Sequence, residues 1–303
     1  MSNKNLLIFF VQAAIWGSSY IFINIASPLI GPVFLMFSRV TIASVVLLLY
    51  AYFTGQLPDM RRFWKIALIS GFLNAALPFT LIGFAQLSLT ASLGSIMNAT
   101  TPLWTAVIAS LWLGIPLTRN KLIGVVLGIF GVFILVGWSP ITVDESLLLA
   151  IALSLAAALS YGFGTNYIKQ HAEKVNSLHM SIGQFVGASV ILIGPGLLQQ
   201  PSGELAMEAL LALVILSVLC TSVAYLMFFH IIYEVGPTIA ASVSFLIPLF
   251  ATFYGALLLQ EPLSVSLIVG LLVILISVAL VMDINPIHMI LHKQTHKLAE
   301  STE

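Results

Sequence analysis

Ten stretches of mainly apolar residues, each roughly twenty residues long, account for almost the whole chain: 6–26, 33–53, 66–85, 90–113, 121–137, 146–168, 177–197, 209–232, 237–260 and 263–282. At about 1.5 Å of rise per residue, a helix of that length crosses the ~30 Å hydrocarbon layer of a bilayer. None of the stretches alternates apolar and polar residues in segments of about ten, as barrel strands do. Charged residues are 7% of the chain and hydrophobic ones 60%, against about 25% charged in a soluble domain. Such a surface must face lipid. The expected fold is an all-α membrane protein of ten transmembrane helices. Stretch 6–26 is too long for a typical signal-peptide core and ends in no clear cleavage site, so it reads as the first span. Turn chemistry lies between the spans, at Ser27-Pro28, 55–59, Ser139-Pro140 and Pro201-Ser202-Gly203.

Basic residues divide by side. With ten spans, Lys4, Arg61, Arg62, Lys65, Arg119, Lys121, Lys169, Lys174, Lys293 and Lys297 all fall on one face of the membrane. The opposite connectors hold Asp144, Glu145, Glu204 and Glu208 and no basic residue. Since Lys and Arg mark the cytoplasmic side, both termini are expected in the cytoplasm. One missed helix would scramble this division.

The chain also repeats. A shift of 146 residues lays Pro102 on Pro248, Leu103 on Leu249, Pro116 on Pro262, Leu117 on Leu263 and Gly124 on Gly270. A shift of 145 lays Trp16-Gly17 on Tyr161-Gly162. The unit is five helices, an odd number, so the second copy enters the membrane inverted. Two repeats are expected, 6–137 and 146–283, followed by a cytoplasmic tail, 284–303. Inverted repeats are the architecture of secondary transporters that alternate access around a site at the repeat interface. Duplication in a non-transporting membrane protein, a scaffold or a receptor subunit, is the alternative.

Several short features recur at matching places: Trp16-Gly17-Ser18-Ser19-Tyr20, Arg39, Pro102, Gly236-Pro237, Pro248, and Leu259-Gln260-Glu261-Pro262-Leu263. In these the chain resembles the drug/metabolite transporter superfamily, in its EamA-type ten-helix branch, over about residues 6–283. Two positions depart from that pattern. Ile115 is the first-half counterpart of Glu261, and Asn24 stands where the family often has lysine. The resemblance implies an inner-membrane carrier or exporter of amino acids or similar metabolites. Nucleotide-sugar or drug-like cargo is the alternative within transporters.

Candidate site residues follow from polarity at membrane depth. Pro102 and Pro248 interrupt helix hydrogen bonding near mid-span and free the carbonyls of Asn98 and Ser244. In lipid such groups need protein or a wet cavity. Their faces are small or polar: Ala91, Ser95, Asn98, Pro102 and Thr105 on one helix, Pro237, Ala241, Ser244, Pro248 and Ala251 on the other. These faces read either as a cavity wall or as close small-residue packing. Arg39, two turns inside its span, would contact an anion, serve as an outer gate, or bond backbone carbonyls between helices. Trp16 and Tyr161 lie too deep for an interfacial belt. They read as cargo-stacking or as core aromatics, and Trp104, Tyr225 and Tyr254 share that status. Asn74, Gln86, Asn166 and Gln184 are further polar candidates.

The remaining signals are negative. No carboxylate lies mid-span, and Glu261 sits at an outer edge. No phosphate-binding Gly-x-x-x-x-Gly-Lys loop and no metal-ligand spacing is present, so no cofactor is expected. An intramembrane enzyme would need a titratable constellation where only an isolated arginine stands. His179 and His230 fall near the cytoplasmic ends of their helices and read as interfacial, and Cys220 as a small buried hydrophobe. Zero net charge offers no footprint for nucleic acid. The expected partners are a small-molecule substrate and the lipid bilayer.

Overall fold

The computed structural model describes residues 2–137, 144–172, 174–201, 205–236, 240 and 242–282. Ten helical units follow one another, with no strand among the described residues. They are α1 (Asn3–Ile30), α2 (Pro32–Phe53), α3 (Trp64–Ala85), α4 (Ala91–Leu113), α5 (Arg119–Gly137), α6 (Glu145–His171), α7 (Ser177–Leu198), α8 (Met207–Ile232, continuing to Val235), α9 (Ser242–Leu258) and α10 (Val265–Val281). The first eight are long and apolar enough to span a membrane, and the last two are shorter apolar helices. The expected start of the ninth span, including Pro237 and Ala241, and the tail 284–303 lie outside the described residues.

Helix ends follow local chemistry. Ser2, Thr90, Asp144, Asn176 and Ser264 cap α1, α4, α6, α7 and α10 with side-chain oxygens that accept from the first turn. Gly31, at φ 79°, ends α1, and Pro32 opens α2 at its first position, where a missing N–H costs nothing.

Packing between helices shows the two repeats. With α1–α5 matched to α6–α10, the larger contacts all have counterparts. α1 packs on α9 as α6 packs on α4, α3 on α7 as α8 on α2, and α3 on α6 as α8 on α1. The pairs α2–α7 and α5–α10 map onto themselves. Small residues let these backbones approach, as lipid-embedded helices require. Between α3 and α7, a Cβ at Gly71 would meet the Gln184 carbonyl oxygen at 2.6 Å and the Ala188 nitrogen at 2.7 Å. Between α5 and α10, Gly124, Gly128 and Gly131 face α10, and Ser277 Oγ donates to the Gly124 carbonyl at 2.6 Å.

Irregular turns also recur in matching positions. α3 holds a π segment at Phe72–Ala76 and α8 one at Ile215–Val223. In α8 the hydroxyls of Thr221 and Ser222 accompany the wider turn by donating to carbonyls five residues back, at 2.8 and 3.0 Å. In α3 the Leu73 carbonyl accepts from Ser160 of α6 at 2.8 Å. Pro102 and Pro248, read from the sequence as hinge or helix-break positions, lie close to departures from regular helix. α4 is two pieces, Ala91–Asn98 and Thr101–Leu113, with Pro102 in the first turn of the second. The Asn98 carbonyl is satisfied by Thr101 Oγ1 at 2.7 Å. α9 begins as a 3₁₀ turn, Ser242–Phe245, before the α-helical Leu246–Leu258 that contains Pro248.

Candidate functional site

A cavity of about 880 Å³ runs from the middle of the bundle to the end that carries the basic connectors. α4 and α9 supply Ser95, Asn98, Pro102, Thr105, Ser244 and Pro248, so the small faces singled out in the sequence do border open volume. α6 supplies Tyr161, Thr165 and Asn166; α7, Ser181 and Gln184; α3, Asn74; α1, Trp16 and Tyr20; α8, Tyr225 and Phe228. Lys121 and Lys169 stand at its mouth. No carboxylate lines it among the described residues.

Polar groups on the wall are partly engaged. Asn166 Nδ2 donates to the Thr105 carbonyl of α4 and the Gly162 carbonyl of its own helix, both at 2.9 Å. Asn74, on the π segment of α3, presses against the backbone of Gly164, and its Nδ2 has no partner. The Asn98 side chain is half-buried, with Oδ1 3.5 Å from Thr101 Oγ1. A buried amide N–H without a partner costs about 1–3 kcal/mol, and a polar cargo would recover that cost.

An aromatic layer forms the cavity floor. Trp16 meets Tyr225 edge-on at 5.6 Å and Phe228 at 5.3 Å. Tyr225 meets Phe185 at 5.0 Å, and Phe79 bridges Phe185 and Tyr161, both at 6.5 Å. Arg39 stacks on Phe79, its guanidinium carbon 4.0 Å from the ring centroid.

Arg39 is thus one layer beyond the cavity wall, 6% exposed. Nε donates to Thr221 Oγ1 at 2.9 Å, and Nη1 lies 4.0 Å from the Met36 sulfur. Thr221 belongs to the π segment of α8, so this bond joins the two repeats. The sequence alternative of an arginine bonding backbone carbonyls does not match: its partners are a hydroxyl, a sulfur and a ring. A cation at a helix centre costs about 2.5–3.5 kcal/mol on insertion scales, and a buried cation–π contact returns about 2 kcal/mol.

Trp104, expected as a possible cargo contact, lies off the cavity. Two residues past Pro102 it has rotated away, and its backbone packs on Gly162 of α6, where a Cβ would come within 3.1 Å of the Trp104 carbonyl carbon. Tyr254 and Gln86 also lie off the cavity wall. His179 and His230 sit near the basic end, His179 Nε2 3.0 Å from the Gln56 carbonyl and His230 Nε2 3.3 Å from Asn5 Oδ1. Cys220 is buried, its sulfur 3.7 Å from Ser18 Oγ.

At the opposite, acidic end, described residues of the two repeats are tied together. Glu261 reaches from the α9–α10 connector to the start of α4. Its Oε1 accepts from the Ala91 N–H at 2.6 Å, and its Oε2 accepts from the Ser92 N–H at 3.1 Å and from the Ser92 hydroxyl. A carboxylate at a helix N-terminus meets unsatisfied N–H groups and the positive end of the helix dipole. Asn24 adds a second tie, its Nδ2 donating to the Gln86 and Leu89 carbonyls at 3.2 and 3.0 Å. Gln86 belongs to this tie rather than to the cavity, packed against Gly94.

Ten apolar helices in two matching sets of five, around a cavity open toward one end, define a multi-pass membrane protein of two-repeat transporter architecture. The chain belongs to the EamA-like transporter family, whose model matches residues 3–137 and 148–283. It is similar to the uncharacterized transporter YvbV of Bacillus subtilis (strain 168), 29% identical over 92% of both chains. Protein PecM of Dickeya dadantii (strain 3937) is 24% identical over 91% of both. The uncharacterized inner membrane transporter YedA of Escherichia coli (strain K12) is 25% identical, covering 90% of this chain and 88% of its own. A crystal structure at 16% identity shares the fold, with a TM-score of 0.63 over 92% of this chain and 96% of that one.

Proposed function

We propose that this membrane transporter is a secondary carrier of small metabolites, amino acids or related compounds, that works by alternating access. The carrying observation is the cavity at the repeat interface, open toward the basic end and tied together at the acidic end by Glu261 and Asn24. A transporter needs a second state with those conditions reversed, and the paired contacts of the two repeats supply equivalent surfaces for it. In this reading 6–137 and 146–283 are the moving units and 284–303 a cytoplasmic tail. The one-sided basic residues support a reading with both termini in the cytoplasm, and the bacterial relatives support an inner-membrane location. Cargo lies among Trp16, Asn74, Asn98, Tyr161, Asn166, Gln184 and Ser244, with Pro102 and Pro248 at the points where α4 and α9 change direction. The broken α4 and the 3₁₀ start of α9 support that role, since each already departs from regular helix. Uptake of a metabolite panel into proteoliposomes, with and without a proton gradient, tests the proposal. Saturable uptake of at least one small metabolite is expected; a protein that moves none of them would be a scaffold or receptor subunit.

A further inference from the structure

We propose that Arg39 is the anion-recognising pole of the cargo site, and that the solute carried is a singly charged organic carboxylate whose apolar or planar body lies on the aromatic floor. This rests on the transport reading above and names the substrate class for it.

The first ground is an unbalanced charge. Among the described residues the ion pair formed is Arg62 with Asp59, 2.9 Å apart in an exposed connector. Every described acidic side chain is at a helix end or in a connector: Asp59, Asp144, Glu145, Glu208, Glu234 and Glu261. None faces Arg39. A guanidinium has five N–H donors, and around this one stand a hydroxyl and a thioether, the latter a weak acceptor. Buried charges in proteins are otherwise paired and hydrogen-bonded.

The second ground is position. Arg39 lies directly behind the cavity floor, separated from it by the Phe79 ring. Tyr20, Tyr161 and Tyr225 are on the cavity wall, and Tyr161 meets the Phe79 ring on which the guanidinium stacks. Its Nε bond to Thr221 crosses from one repeat to the other, so the surroundings of Arg39 change whenever the repeats move. A rearranged floor brings the fork of N–H groups to the cargo, and a fork matches a carboxylate in two parallel bonds. One buried cation balances one negative charge. Lys121 and Lys169 stand at the mouth, so at the floor a second negative charge would find no second cation among the described residues, and an organic cation would meet Arg39 with no carboxylate on the described wall to offset it.

The test uses purified full-length protein and two matched probe pairs, phenylacetate with phenylacetamide and hexanoate with hexanamide. Members of a pair share shape and differ in charge. Binding is read by titration calorimetry. At least one acid should bind tenfold or more tighter than its amide, Arg39→Gln should erase that preference, and Arg39→Lys should keep a weakened one. An amide that binds as well as its acid, a preference that survives Arg39→Gln, or no binding of either acid would overturn the inference. If Arg39→Gln does not fold, the wild-type comparison and Arg39→Lys still decide. Acid binding without uptake of any solute would contradict the transport reading and leave this inference standing. Equal uptake of acids and amides would do the reverse.

Discussion

At the acidic end of the bundle a carboxylate ties the two repeats together, while at the basic end the matching position is an isoleucine and the cavity is open. Glu261 and Ile115 occupy equivalent places, each just before the proline that precedes the last helix of its repeat. Glu261 accepts from two backbone N–H groups and one hydroxyl of α4. Ile115 lines the cavity and offers no side-chain acceptor. Duplication thus supplied both ends with the same scaffold, and side chains such as Glu261 and Asn24 distinguish them. The difference between the two ends lies in local hydrogen bonding, while the helical scaffold is common to both.

Removing the tie should have the largest effect. Glu261→Ala deletes charge-assisted bonds that together contribute about 3 kcal/mol, enough to shift an open–closed equilibrium by roughly a hundredfold. A cysteine introduced at the fully buried Ala26, in the same half of α1 as Asn24, reports the change. In the Glu261→Ala background its labelling from the acidic side should rise at least tenfold. Unchanged labelling would mean that Glu261 does not hold that end shut.

A smaller effect is expected inside the open half. Asn98→Leu fills cavity volume and removes a hydrogen-bonding group that contributes about 1 kcal/mol. Uptake should fall roughly five- to tenfold while the melting temperature holds. If the melting temperature drops in step with uptake, Asn98 is a packing residue.

Glu261→Gln should do least. The amide oxygen still accepts from one N–H at the start of α4, and among the described residues no carboxylate lies on the cavity wall to carry protons. Uptake should stay within about threefold of wild type, with its response to a proton gradient intact. Loss of that response while binding survives would make Glu261 the coupling residue.

Much of this was legible in the sequence because lipid imposes strong rules. Apolar length marks the helices, and the 146-residue shift pairs Pro102 with Pro248 whatever the tertiary detail. The small faces of α4 and α9 were visible as steps of three and four. Other features depend on contacts far apart in the chain. Nothing near Ala91 reveals that Glu261 caps it across 170 residues. The π segments leave no composition signal, since they arise where Thr221, Ser222 and Ser160 find carbonyls to bond. Trp16, Tyr161 and Tyr225 stood out by depth, but Phe79, Phe185 and Phe228 were hidden among 19 phenylalanines. Phe228 could have been found three residues after Tyr225, on the same helix face. Trp104 misled because depth alone does not say which side of a helix meets the cavity.

In the proposed mechanism, cargo passes through the cavity between the repeats. Thr165 tests it most directly, being exposed on α6 and part of the cavity wall. A Thr165→Cys protein, with Cys220 replaced by serine, would be labelled in proteoliposomes with a bulky membrane-impermeant thiol reagent, and uptake measured before and after. Labelling from the basic side should reduce uptake more than tenfold, and a bound substrate should slow the labelling. Complete labelling with undiminished uptake would place the cargo path elsewhere and contradict the account.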